Sequence, residues 1–164
     1  MSQSFQKQRE TIFMKSINQS RWMPYQSTHI YQLLTESEKI IQVVKRIKTV
    51  EVLERHAESG KVRTQIDLPG GKFVNMIGVV EGEVGQRLSF TGEQPFPLQI
   101  VWELRDEVQD GQIGTIVSYT IKVDLSPVVA FISNLVLGGY LSAEMKKDLD
   151  KLEDLMAHEY TLVS

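Results

Sequence analysis

A chain of 164 residues, 41% hydrophobic and 24% charged, is long enough to bury one sizeable core and too apolar to stay disordered. Having no cysteine, it is excluded from disulfides, thiolate metal sites, iron–sulfur clusters and cysteine nucleophiles. The net charge of −3 argues against a protein built around nucleic acid, although residues 1–63 carry 11 Lys and Arg against 6 Asp and Glu, and the remainder 7 against 15.

Residues 1–13 are polar and glutamine-rich, and read as an arm or a short extra helix with Phe5, Ile12 and Phe13 on one side. Met1 to Gln8 lacks the charged start and continuous apolar core of a secretory signal, so the expected setting is cytoplasmic. A domain spanning 14–158 follows, with 159–164 as a tail. Its first strand is expected from Met14 to Met23, stopped by Pro24. Two short helices come next: Thr28 to Leu34, with Ile30, Tyr31, Leu33 and Leu34, then Glu38 to Lys45, with Ser37 as its cap. Lys39, Lys45, Arg46 and Lys48 make a basic cluster, read either as a solvated helix face running into a strand or as a weak patch for anionic lipid or a partner.

From Thr49 the apolar period changes to two. Residues 61–68 alternate almost strictly, with Val62, Thr64, Ile66 and Leu68 on one face and Lys61, Arg63, Gln65 and Asp67 on the other. Strands are predicted at 49–57, 61–68, 72–80, 87–92, 99–106 and 114–123. Turn signals separate them, among them Ser59-Gly60, Pro69-Gly70-Gly71, Glu81-Gly82 and Asp110-Gly111. Connections this short join antiparallel neighbours and predict a meander.

After Pro127 the helical period returns, to about Met156. Leu137, Leu141, Met145, Leu149, Leu152 and Met156 form one apolar stripe, and Lys146, Lys147, Asp148, Asp150, Lys151 and Asp154 are assigned to the charged outer side. Gly138-Gly139 should cost roughly 1 kcal/mol per glycine against alanine, so the helix is expected to bend there or to admit a close neighbour. Val128 to Leu141 is interrupted by polar residues and falls short of the ~20 residues of a membrane span. No transmembrane segment is expected, which leaves peripheral membrane contact open.

Signals for bond-breaking chemistry are lacking. His29, His56 and His158 are far apart and show no metal-ligand spacing, so neither a metal nor another cofactor is expected. Leu68-Pro69-Gly70-Gly71-Lys72 lacks a phosphate loop's first glycine, since Ile66 stands there, and it opens a strand rather than a helix.

A strand, two short helices, a meander and a long final helix make an α+β chain. It resembles the START-like helix-grip superfamily, which includes polyketide cyclases and lipid-transfer domains. Within it the likeness is to the carbon monoxide dehydrogenase G-subunit type. Ile30-Tyr31-Gln32-Leu33-Leu34-Thr35-Glu36-Ser37-Glu38 is similar to that family's segment V-W-x-L-L-x-D-x-E, with Tyr31 in place of the usual tryptophan and Ser37 where proline is common. Phe90-Thr91-Gly92, Trp102-Glu103-Leu104 and Gly114-Thr115-Ile116-Val117 resemble its central strands, and Leu135 to Leu141 its final helix. The resemblance implies an antiparallel sheet of about seven strands wrapped around the C-terminal helix, with an apolar ligand held between them.

The strand faces allow such a cavity. Thr64, Ile66, Phe90, Ile100, Trp102, Leu104, Val117, Tyr119 and Ile121 are candidate ligand contacts from the sheet, with Thr64, Trp102 and Tyr119 as polar handles. Leu135, Gly138, Gly139 and Met145 are their counterparts on the helix. The same side chains could instead pack a solid core. The expected function is binding or carriage of a hydrophobic small molecule such as a lipid or isoprenoid quinone. A cyclase or aromatase using Tyr119 or another cavity group as a general acid or base, or an assembly factor for a metalloenzyme, are the alternatives. Oligomeric state is not legible.

Overall fold

The computed structural model describes residues 15–124 and 134–161, the side chains of 134–137 and 161 excepted. The proposed N-terminal arm, the start of the last helix at Pro127 and the side chains of Leu135 and Leu137 therefore lie outside the described residues.

Strand β1 (Lys15–Met23) leads into helices α1 (Ser27–Thr35) and α2 (Ser37–Val43). Six strands follow: β2 (Ile47–Arg55), β3 (Ser59–Leu68), β4 (Lys72–Glu83), β5 (Arg87–Gly92), β6 (Leu98–Gln109) and β7 (Gln112–Val123). Helix α3 (Asn134–Thr161) closes the order. Among the described residues the predicted elements are all present, most of the strands running one to three residues longer than predicted at one end or both. Ser37 is not the cap of α2. It is the first helical residue, and Glu36 stands before it as the end of α1 and the start of α2 at once. A one-residue corner leaves no room for a separate cap.

All seven strands form one antiparallel sheet in the order β1-β7-β6-β5-β4-β3-β2. Only β1 pairs out of sequence, lying along β7 from Lys15↔Val123 to Met23↔Thr115. The tight turns follow their residues. Asp110 and Gly111, at φ 51° and 77°, join β6 to β7 in the left-handed geometry that matches strand twist.

Alternation decides which face is covered. Val62, Thr64 and Ile66 of β3, and Val117, Tyr119, Ile121 and Val123 of β7, are buried while their neighbours are not. Helix α3 lays Leu141, Met145, Leu149, Leu152 and Met156 on this inner face. Its position against β1 is fixed by Arg21 and Asp150 at 2.7 Å, and by Gln19 Nε2 donating to Ser142 Oγ at 2.8 Å. Lys39 of α2 pairs with Glu159 at its far end. This is the helix-grip fold.

Candidate functional site

The inner face is filled unevenly. Over β1, β7 and β6 the long side chains of α3 occupy the space, with Met145, Leu149, Leu152 and Met156 at most 1% exposed. Toward the other edge, α1 and α2 stand over β2 to β6 and leave a cavity of about 250 Å³. Tyr31 and Leu34 of α1, Ile40 of α2 and the following Val44 form its roof. Ile47, Val50 and Val52 of β2, Val62, Thr64 and Ile66 of β3, Leu88 and Phe90 of β5, and Ile100 and Trp102 of β6 form its floor. Residues 54–60, the β2–β3 turn with its ends, rim the cavity. Glycines shape the floor. A Cβ at Gly82 would strike the Tyr31 hydroxyl, and one at Gly78 the Phe90 ring, so their absence lets both aromatic side chains lie close to β4.

Behind Trp102 lies a polar cluster. Its ring stacks on Tyr119 with centroids 3.8 Å apart and planes 6° apart. The Tyr119 hydroxyl donates to Asp148 Oδ2 at 2.9 Å, and Arg46 Nη2 donates to the same oxygen at 2.6 Å and to the Tyr119 oxygen at 3.3 Å. Glu144 Oε2 is 3.5 Å from Arg46 Nη1, which has no hydrogen-bond acceptor. Burial, and then the Asp148 charge, push the Tyr119 hydroxyl well above its ordinary pKa, so it remains protonated. Burial also raises the Asp148 carboxyl against the opposing pull of Arg46. For Arg46, burial pulls the guanidinium down, yet Tyr119, Asp148 and Glu144 together carry it above its ordinary value.

Two sequence expectations are corrected here. Asp148 is not on the solvated side of α3, being 2% exposed, and Arg46 at 7% is not part of a solvated basic face. Asp148 stands three residues after Met145 and four before Leu152, which puts it on the apolar stripe. Each charge is held inside because the other answers it.

A smaller cavity of about 60 Å³ adjoins, walled by Arg46, Asp67, Leu68, Phe96, Leu98, Ile121, Val123, Tyr140 and Leu141 among others. It shares Val44, Ile47, Ile66 and Ile100 with the larger one.

Of the predicted contacts, Thr64, Ile66, Phe90, Ile100 and Trp102 line the larger cavity, and Ile66, Ile100 and Ile121 the smaller. Leu104, Val117, Tyr119 and Met145 are packed in the interior and line neither. Gly139 has open space above it, while Lys15 of β1 approaches Gly138 so closely that a Cβ there would lie 2.8 Å from its Cε. Among the described residues, α3 contributes Tyr140 and Leu141 to the smaller cavity and nothing to the larger. The roof of α1 and α2 is absent from the sequence expectations. Its signal is present in Leu34, Ile40 and Val44, apolar residues on or beside helices too short to bury them against each other.

His29 stacks on Tyr160 at 4.5 Å, and His56 lies 3.7 Å from Glu54 at the rim. Among the described residues no three His, Asp or Glu side chains are gathered to hold a metal ion, and no helix is long and apolar enough to cross a membrane.

No family model and no curated protein matches the chain. Solved structures do. TTHA0849 from Thermus thermophilus superposes with a TM-score of 0.70 at 19% identity, over 85% of this chain and 95% of that one. The Zhui aromatase/cyclase from Streptomyces sp. R1128 gives 0.61 at 11% identity, over 89% and 93%. The di-domain ARO/CYC StfQ from the steffimycin biosynthetic pathway gives 0.68 at 12% identity, over 96% of this chain and 55% of StfQ. At such identities the likeness is one of fold. The finer resemblance to the carbon monoxide dehydrogenase type has no counterpart among these comparisons.

Proposed function

We propose that this chain binds and carries a hydrophobic small molecule, a lipid, isoprenoid quinone or similar, in the larger cavity, with residues 14–158 as the binding unit. The observation that carries this reading is the half-open, mainly apolar cavity of about 250 Å³ between α1, α2 and the inner sheet face. Burying about 300 Å² of apolar ligand surface supplies roughly 7 kcal/mol before association costs, so binding needs no ion pair. The aromatase/cyclase neighbours share the fold and keep a cyclase-type reaction as the second reading. A cyclase needs an acid or base in contact with its substrate. Tyr119 is 0% exposed, lies behind Trp102 and has its hydroxyl engaged by Asp148, and the acid and base groups that do line the cavity, Glu54, His56 and Glu58, stand at its rim rather than over its apolar floor, which favours carriage. The resemblance to the carbon monoxide dehydrogenase type keeps assembly of a metalloenzyme as a third. A cytoplasmic setting and small-molecule rather than nucleic-acid partners go with the carrier reading.

The test is mass spectrometry of what co-purifies, followed by titration with short-chain quinones and fatty acids in a Trp22→Phe background, where Trp102 is the only tryptophan. Saturable change in Trp102 fluorescence at one ligand per chain is expected. No saturable binding by any probe overturns the reading.

A further inference from the structure

We propose that the carried molecule lies with its oxygen-bearing end at the rim of the larger cavity, where an alcohol or carbonyl oxygen accepts a hydrogen bond from the Tyr31 hydroxyl, and with its apolar body toward Val44 and Ile66. The inference rests on the carrier reading and adds the ligand's orientation and the chemistry of its head group. The two ends of the cavity differ in kind. Strands β2 and β3 run along it from Ile47↔Ile66 to Arg55↔Gly60, a separation of about 25 Å. At the first end the walls are aliphatic, with Val44, Ile47, Ile66 and Ile100. At the second stand Glu54, Arg55, His56 and Glu58.

Tyr31 places its hydroxyl at this second end. A Cβ at Gly82 would strike that oxygen, and the Gly82 N–H donates to the Glu58 carbonyl at 2.9 Å, so hydroxyl, glycine and rim turn adjoin. All three line the cavity. The hydroxyl has no hydrogen-bond partner among the described residues, whereas Thr64 and Thr35, also in the lining, already donate to the Thr49 and Gln32 carbonyls. Nor is it sealed: among the described residues the side-chain polar atoms both buried and unpartnered are Arg46 Nη1 and Glu153 Oε2. Burial, and after it the Glu58 charge, raise the Tyr31 hydroxyl above its ordinary pKa, so it keeps the proton it donates. A head group carried to the aliphatic end would lose its hydrogen bonds to water without replacement. At the rim Tyr31 replaces one of them.

The experiment measures displacement of N-phenyl-1-naphthylamine by octane, 1-octanol and 2-octanone, in wild type, Tyr31→Phe and Thr64→Val, with thermal melts confirming that the variants fold. Tyr31→Phe keeps the ring and removes the hydroxyl. It is expected to weaken 1-octanol and 2-octanone about five-fold and to leave octane within about two-fold of wild type. Thr64→Val, nearer the aliphatic end, should leave the ratio of each to octane unchanged. A loss confined to one of the two oxygen compounds keeps the orientation and names the oxygen. Undiminished binding of both by a folded Tyr31→Phe, an equal loss of octane, or a selective loss in Thr64→Val instead, overturns the head-group assignment alone. If no probe binds wild type, the carrier reading fails and this assignment with it.

Discussion

Trp102 and Tyr119 lie face to face, 3.8 Å between ring centroids, and divide the interior into two chemistries. On one side Trp102 is cavity floor; on the other the Tyr119 hydroxyl joins Arg46 and Asp148. A molecule resting on Trp102 is thus separated from a buried ion pair by two stacked rings.

The ion pair should be costly to break and cheap to replace. Arg46→Met leaves the buried Asp148 charge with only the Tyr119 hydroxyl to answer it, and is expected to destabilise by about 3–5 kcal/mol. Arg46→Met combined with Asp148→Leu should recover most of that loss. Urea unfolding of the three proteins checks it; a double variant no more stable than the single would show that the pair itself supplies net stability.

Acid should favour this cluster. Burial raises the Asp148 carboxyl, so the folded chain holds that proton more tightly than the unfolded chain does. The stability so gained is fully present below the unfolded pKa and is lost as pH rises through the raised folded value. Asp148→Asn imitates the protonated form. Asn also leaves the buried Arg46 without its carboxylate at 2.6 Å, so Asp148→Asn is expected to be less stable than wild type near neutral pH, with the margin of wild type over it widening as pH falls from about 7 to about 4. Parallel denaturation curves across that range check the sign, and a margin that narrows on acidification contradicts it.

Val62 is 8% exposed and forms part of the cavity floor. In Val62→Phe the added ring has the cavity to enter, so bound apolar probe should weaken about ten-fold or more while the melting temperature moves little. A solidly packed interior would respond instead with an overpacking loss of about 1–3 kcal/mol. Probe titration and a thermal melt of the same sample separate the two.

Gly78 should resist its smallest substitution. A Cβ there meets the Phe90 ring and lies 2.7 Å from the Thr91 backbone oxygen, which cannot swing aside. Gly78→Ala is expected to cost about 1–3 kcal/mol and to weaken apolar binding by driving Phe90 toward the cavity, read by denaturation and probe titration. Unchanged stability would mean that β4 and β5 are spaced more loosely than described.

Much of the fold was legible because strands such as 61–68 and 114–123 state their covered face by alternation, and turns such as 69–71 and 110–111 are marked by their glycines. Periodicity tells which way Ile66 or Trp102 points but not whether something touches it, so solid core and cavity wall read alike. Five predicted contacts reached the larger cavity, while Leu104, Val117, Tyr119 and Met145 found packing partners. Arg46 was illegible for another reason. It lies between α2 and β2, where no repeat assigns a face, and its burial depends on Asp148, 102 residues away. The close neighbour that Gly138 was expected to admit is Lys15, a flexible side chain that no local pattern names.

The shared residue Glu36 has a consequence for how this chain can vary in length. Because α1 ends and α2 begins on it, α2 has no slack with which to absorb an insertion. One added residue there would turn α2 by about 100° about its axis and swing Ile40 away from the cavity roof. Residues 56–58, between β2 and β3, carry no helical phase, so an added residue there turns no element away from the cavity. Homologues that hold a differently sized molecule should therefore differ at that rim and keep a fixed count across the helical corner.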